Sequence, residues 1–233
     1  MPTNAEILLE GSYLYFQKDV NYSQENFKLI RFPDAKSYHI YSEILSRVES
    51  GEFLKIMVRF EMNEHFLPTF ARIEKSLGNR YAQEIFQFDL VAQRLKYTFE
   101  NSKASQDFNL NISAKHYLTS PAFATSAIFT LSKKLNATER TAVALISSQN
   151  EWTYEHPPEE KIIFAEIKTR EVTDFKLNNT SLSASHLCLY EQDTGSGSTE
   201  SPVEIFISKH YALPYQLIHG DQKIVIKNLK KNS

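Results

Sequence analysis

Apolar and polar residues alternate along much of the chain, most regularly between residues 52 and 100. Leu54, Ile56, Val58, Phe60 and Met62 occupy every second position there, with Lys55, Arg59 and Glu61 between them. Successive strand side chains point to opposite faces, so this period predicts a strand with one apolar and one wet face. His65-Phe66-Leu67-Pro68 breaks the run, residues 70–77 resume it, and Gly78-Asn79 is a two-residue hairpin signal leading into 81–90 and then 94–100.

The same reading extends in both directions. Strands are predicted at 12–17, 27–32 and 38–48, with a turn at Ser50-Gly51, and at 108–112. Later strands are predicted at 141–148, 162–170, 182–190, 203–208, 213–219 and 223–229, the last entered through Gly220-Asp221. Residues 150–158, which hold Trp152 and the Pro157-Pro158 pair, are predicted to be irregular or an edge, because proline cannot donate to a ladder. The Gly- and Ser-rich piece 192–201 is too polar to bury and is expected to be a mobile loop at the mouth of any cavity. No helix-sized crossover separates the strands, which predicts antiparallel pairing almost throughout.

One helix interrupts the pattern. Ser120-Pro121 supplies a cap and a first-turn proline ahead of residues 122–131, with Lys133 and Lys134 set against the negative end of the helix dipole. Phe123, Ala127 and Leu131 line one side, beside Ala124 and Ile128, so the helix should lie on the sheet or plug one end of it. The expected fold is mainly β: a strongly curved antiparallel sheet, an open barrel or β-clamp, with one short helix near residues 120–132. A single domain 1–233 is expected, with 12–112 as a first meander, 141–229 as a second, and the helix joining them.

Composition supports this and narrows the function. Sixteen Phe and 12 Tyr in 233 residues favour strands and allow a sizeable core. A formal net charge of −2 provides no field to attract nucleic acid, so no DNA or RNA partner is expected. The sole cysteine, Cys188, excludes an internal disulfide. With no signal-like segment at the N-terminus and no apolar run of membrane-spanning length, a cytoplasmic location is expected.

Motif chemistry is sparse. The seven histidines form no His-x-His or His-Glu-x-x-His pair, and no nucleophile elbow or phosphate-cradling loop occurs, so neither a metal nor a cofactor is expected. On the strand 182–190, Ala184, His186, Cys188 and Tyr190 share one face. They either line a polar-walled cavity or are satisfied interior residues. His210 and Tyr211 are adjacent and point apart unless the strand has ended. Trp152 and Tyr154, near Glu151 and His156, form an aromatic pair that is either a ligand rim or an anchor.

The order of several short segments carries a resemblance. These are Gly11-Ser-Tyr-Leu-Tyr-Phe, Tyr38-His-Ile-Tyr-Ser-Glu, Phe66-Leu67-Pro68, Glu84-Ile-Phe-Gln-Phe-Asp89, Leu95-Lys-Tyr97, Leu118-Thr-Ser-Pro121 and the closing Ile205 to Ile218 run through Pro214. In this the chain resembles an uncharacterised bacterial family of β-rich, clamp-like proteins whose fold is similar to that of periplasmic lipoprotein carriers. The resemblance implies a curved sheet wrapped around a helix or an apolar groove. It supplies no catalytic residues, and such proteins usually look exported whereas this N-terminus does not.

Two functions follow as expectations. The first is binding of a small apolar or lipid-like molecule in a sheet cavity without intrinsic chemistry, with Trp152, Tyr154, Cys188 and Phe123 as contact candidates. The second is a cofactor-free isomerase or cyclase acting on a hydrophobic intermediate in the same cavity, with His186, Tyr190, His210 and Glu151 as proton-shifting candidates.

Overall fold

The computed structural model describes residues 4–133, 135, 139–177, 180–191, 201–209 and 211–231. The first eight strands are β1 (Glu6–Gln17), β2 (Val20–Phe32), β3 (Ser37–Arg47), β4 (Phe53–Asn63), β5 (Pro68–Leu77), β6 (Arg80–Asp89), β7 (Arg94–Asn101) and β8 (Ser105–Asn111). Then come a short β9 (His116–Leu118), a 3₁₀ turn (Phe123–Thr125) and a one-turn helix α1 (Phe129–Ser132). The second run is β10 (Thr141–Ser147), β11 (Glu159–Leu177), β12 (Thr180–Glu191), β13 (Val203–Ser208), β14 (Pro214–His219) and β15 (Gln222–Lys231).

All the strands belong to one sheet, in the order β8-β7-β6-β5-β4-β3-β2-β1-β15-β14-β13-β12-β11-β10-β9. Two meanders of consecutive antiparallel neighbours are therefore fused where β1 pairs with β15. Among the described residues only β9 and β10 run parallel. The outer edges, β8 and β9, are not paired to each other, so the sheet curls without closing into a barrel. Side chains bridge the gap: His116 of β9 stacks on Phe88 of β6 at 4.8 Å, and Tyr154 stacks on Phe108 of β8 at 4.9 Å.

The alternation read from the sequence sets which face is inside. Val58, Phe60 and Met62 are buried, and their cross-strand partners Ile40, Ile73 and Ala71 continue the same apolar surface. Phe86, Leu95, Tyr97 and Phe99 extend it across β6 and β7. The opposite face is wet and carries cross-strand ion pairs such as Lys55–Glu43 at 2.6 Å. At such exposure these pairs contribute little to stability, about 0–1 kcal/mol each.

Glycine serves two different needs. Gly78 takes a positive φ of 54° in the two-residue turn between Leu77 and Arg80. Gly11 lies inside β1 and makes no turn; a Cβ there would sit 2.5 Å from the Asn228 carbonyl oxygen of β15.

The short helix forms where expected but is not continuous over 122–131. Thr125, Ser126, Ile128, Thr130 and Leu131 donate their N–H groups to carbonyls three residues back rather than four. The hydroxyls of Thr125, Thr130 and Ser132 also bond carbonyls three residues back. Such side-chain bonds compete with the α-helical ladder, so the segment breaks into a 3₁₀ turn and a single α turn. The loop 192–201 expected to be mobile falls, up to residue 200, outside the described residues.

Candidate functional site

The helical segment lies against the inner face of β1–β3, and a carboxylate holds it there. Phe27 and Leu29 place the inner period of β2 at odd-numbered positions, and stepping back one more puts Glu25 inside, with no measurable exposure. Its oxygens accept the Tyr15 hydroxyl at 2.5 Å, the Ser42 hydroxyl at 2.7 Å, the Phe123 N–H at 2.8 Å and the Ala124 N–H at 3.3 Å. Burial pushes the Glu25 carboxyl above its ordinary range, and the four donors pull it part of the way back. Burial also raises Tyr15 and neighbouring Tyr13 well above the usual phenol range, so both remain protonated donors. Tyr13 stacks on Phe27 at 5.0 Å, meets Phe123 edge-on at 4.9 Å and donates to the Pro214 carbonyl at 2.8 Å.

Beside this clamp the helical segment and the sheet enclose a wholly apolar void. Phe27, Leu29, Ile40 and Met62 form its floor, and Ala124, Ile128 and Leu131 cover it. Only about 10 Å³ is free, at the lower limit for one water, and no polar partner is offered to a water. Two strained turns close its end. Phe66 has a φ of 59°, and Tyr211 and Ala212 have φ of 58° and 46° in succession, in the left-handed region that non-glycine residues rarely occupy. Tyr38 stacks on Phe66 at 4.7 Å and lies 6.5 Å from Tyr211, so three aromatic rings cap the void.

Leu131 also lines a second, open depression of about 510 Å³ between the helical segment and β11–β13. Leu135, Ile167, Ile207 and Ala212 form its apolar floor, while Lys133, Arg170, Glu171 and Lys209 stand around it.

The residues singled out in the sequence fall in separate parts of the fold, Phe123 at the clamp, His186, Cys188 and Tyr190 together on β12, and Glu151, Trp152 and Tyr154 on the loop after β10. Phe123 reaches the site, buried at the clamp and contributing its N–H and ring. Cys188 and His186 do share a face, but it is the one opposite the Leu187 face that joins the core. Cys188 is buried there with its thiol 3.6 Å from His186 Nε2, and burial raises that thiol. The same Nε2 meets Glu204 at 3.0 Å, and the ring stacks on Phe206 at 4.7 Å. With carboxylate and thiol on one nitrogen, the imidazole is not oriented as a base toward sulfur, and a raised thiol is the opposite of an activated one. Tyr190 donates to Glu166 at 3.2 Å beneath the Arg140 guanidinium, which sits 3.7 Å from its ring centre.

Trp152 and Tyr154 belong to the loop after β10 and pack against the strands beside it. Arg80 lies 4.3 Å over the Trp152 ring, the Trp152 carbonyl accepts from Asn101 at 2.9 Å, and Tyr154 packs on Phe108. Asn150 ties the loop down: its amide donates to the Tyr97 hydroxyl at 2.8 Å and the His156 carbonyl at 2.9 Å, and its oxygen accepts from Glu155 N–H at 2.8 Å. Tyr97 in turn donates to Glu84 at 2.9 Å, and Lys75 bridges Glu84 at 3.3 Å and the Asn150 carbonyl at 2.8 Å. Glu151 is exposed on this loop and makes no hydrogen bond or ion pair with His186 or Tyr190. His210 lies outside the described residues. Of the described proton-shifting candidates, His186 and Tyr190 thus both adjoin Cys188, while Glu151 lies apart on the loop after β10.

Glu25 was not among the residues picked out, because the alternation of β2 is legible only from Phe27 onward. The signal was available: continuing the period backward places a carboxylate where an apolar side chain belongs. No group of three or more His, Cys, Asp or Glu that could hold a metal occurs among the described residues, and none of their helices is long and apolar enough to cross a membrane.

No protein-family model matches the chain, and no curated protein is similar to it in sequence. Its fold has solved counterparts. A β-barrel-like protein of the domain of unknown function DUF1849 from Brucella abortus superposes with a TM-score of 0.59 at 6% identity, covering 97% of this chain and 98% of that one. A DUF1089-family protein from Pseudomonas aeruginosa gives 0.53 at 9% identity, covering 83% and 88%. At such identities the likeness is one of fold, and it places this chain beside uncharacterised β-rich families. The expected likeness to lipoprotein carriers is not among these findings.

Proposed function

We propose that residues 1–233 act as one binding unit that takes up a small apolar or lipid-like molecule between the curved sheet and the helical segment, without chemistry of its own. The observation that carries this reading is the wholly apolar void beneath a cover of only two short turns. At about 10 Å³ it is far smaller than the ~300–1,000 Å³ of ligand pockets, so uptake requires the Leu131 end of the cover to move outward while Glu25 holds the Phe123 end. The cover has little α-helical bonding of its own to lose, and strained turns at its rim favour a second arrangement.

Titration with a fluorescent fatty acid analogue or a hydrophobic dye tests the reading. Saturable uptake is expected, together with its loss in Leu131→Trp at an unchanged melting temperature, because the indole fills the entrance. Absence of saturable uptake by the folded wild-type protein would overturn the proposal. The isomerase or cyclase alternative gains no support from the geometry, since none of His186, Tyr190 and Glu151 lines the void.

A further inference from the structure

The open depression beside the void carries more information than the void itself. Leu131 is common to both, and the consecutive residues Tyr211, Ala212 and Leu213 alternate between them: Tyr211 and Leu213 line the void, Ala212 the depression. A single side chain and one strained turn therefore separate an open depression with an apolar base from the apolar void. Around that floor stand three cations, Lys133, Arg170 and Lys209, against one carboxylate, Glu171. Glu171 is engaged by Lys209 at 2.8 Å, and Lys133 leans on the Ala142 carbonyl. No hydrogen bond or ion pair engages the Arg170 side chain among the described residues. A chain of net charge −2 does not concentrate cations at an apolar groove by default.

Resting on the function proposed above, we infer that the ligand is a single-chain anionic amphiphile, its carboxylate or phosphate head held at Lys133, Arg170 and Lys209 and its tail directed past Leu131. The apolar floor suits a chain, because Leu135, Ile167 and Ile207 lie buried at the base of the open depression and lead to Leu131 at the edge of the void. A single chain follows from the narrow passage at Leu131 and the small interior. The anionic head follows from the rim, where Arg170 offers a planar fork suited to either oxyanion. Burial depresses the Lys133 ammonium, as does the nearby positive Lys115, so an arriving anion would relieve an existing repulsion.

The test uses four probes sharing a dodecyl chain, each below its micellar concentration: dodecanoate, dodecyl phosphate, dodecanol and dodecyltrimethylammonium. Displacement of a bound dye from the full chain reads their affinities. Both anions are expected to bind at least roughly tenfold more tightly than dodecanol, a preference that shrinks at high salt. In a Lys133→Gln, Arg170→Gln double variant, shown by its melting curve to be folded, that ratio should collapse toward one. Equal affinities for dodecanoate and dodecanol would overturn the anionic head while leaving apolar binding standing, and so would preference for the cationic probe. A ratio unchanged in the double variant would overturn the placement of the head. Acetate or inorganic phosphate displacing the dye as well as the long-chain anions would show an ion site without a tail and overturn the amphiphile. Failure of all four probes to displace the dye would sink the underlying function as well.

Discussion

The Oε2 atom of Glu25 accepts the backbone N–H of Phe123 at 2.8 Å across 98 positions of sequence. That bond, with its partners from Tyr15, Ser42 and Ala124, is the polar attachment of the covering segment to the inner face of the sheet.

Removing the Glu25 carboxylate should be costly. Glu25→Ala leaves the Tyr15 and Ser42 hydroxyls and the Ala124 N–H buried without their acceptor, and the Phe123 N–H with only the Tyr15 hydroxyl oxygen at 3.2 Å, and a loss of about 3–5 kcal/mol is expected. Glu25→Gln keeps the shape but turns an amide N–H₂ toward donors, for about 1–3 kcal/mol. Urea unfolding of the two variants against wild type checks both the size and the order. Equal, negligible effects would show that the clamp is energetically idle.

The same group fixes the sign of one pH dependence. Because the folded-state pKa of Glu25 is raised, the folded protein holds this proton more tightly than the unfolded chain does. Its contribution to stability is therefore fully present below the ordinary carboxylate range and is lost as the pH rises through the raised value. His116 acts in the opposite sense. Burial lowers its pKa from 6.5, its Nδ1 meets the Ser113 carbonyl at 2.8 Å, and its Nε2 is buried without a partner. Stability from His116 is lost as the pH falls through about 6.5 toward the lowered value. Unfolding free energies measured across these ranges should lose the carboxylate slope in Glu25→Gln and the imidazole slope in His116→Phe.

Gly11→Ala should destabilise although no turn is involved. The new methyl would lie 2.5 Å from the Asn228 carbonyl oxygen and 3.0 Å from the Phe27 ring, forcing β1 and β15 apart. A loss of about 1–3 kcal/mol is expected. A melting temperature equal to wild type would mean that the strand junction yields freely.

Asn150→Ala removes four hydrogen bonds from a side chain that is only 1% exposed. About 2–3 kcal/mol of stability should go with it. Limited proteolysis should find its first cleavage within residues 150–158, where the loop would lift off Tyr97. Cleavage elsewhere with an intact loop would contradict the anchoring role.

Strand content was legible because one face of this sheet is wet, and period-two patterns survive wherever that holds. Three features were hidden for separate physical reasons. The turn between β1 and β2 uses Lys18 and Asp19, both with positive φ and neither a glycine, so no punctuation marks it. β9 is three buried residues paired parallel to β10, too short to show any period. The inner carboxylates Glu25 and Glu84 break the apolar rule, Glu25 because its backbone donors come from a segment 98 positions away and Glu84 because Lys75 and Tyr97 meet it from the two neighbouring strands. The candidate site suffered most from this. Sequence spacing drew attention to His186 and Cys188, whereas the enclosing residues, Phe27, Met62, Leu131 and Leu213, are ordinary apolar positions in the text of the chain.

The pairing of β1 with β15 also orders events in time. Every other antiparallel neighbour in the sheet is next in sequence, so those hairpins need only local closure and can form as the chain emerges. β1 alone must wait for a strand some two hundred residues away, roughly 10–40 s at ribosomal speeds of ~5–20 residues per second. Throughout that interval one edge of β1, from Leu9 to Gln17, lacks its ladder partner and is open to pairing with another nascent copy. The strand that arrives to cover it is rich in lysine, with Lys223, Lys227, Lys230 and Lys231 within ten residues. Two β15 strands meeting each other would set like charges together, so the late partner is built to prefer β1 over its own kind.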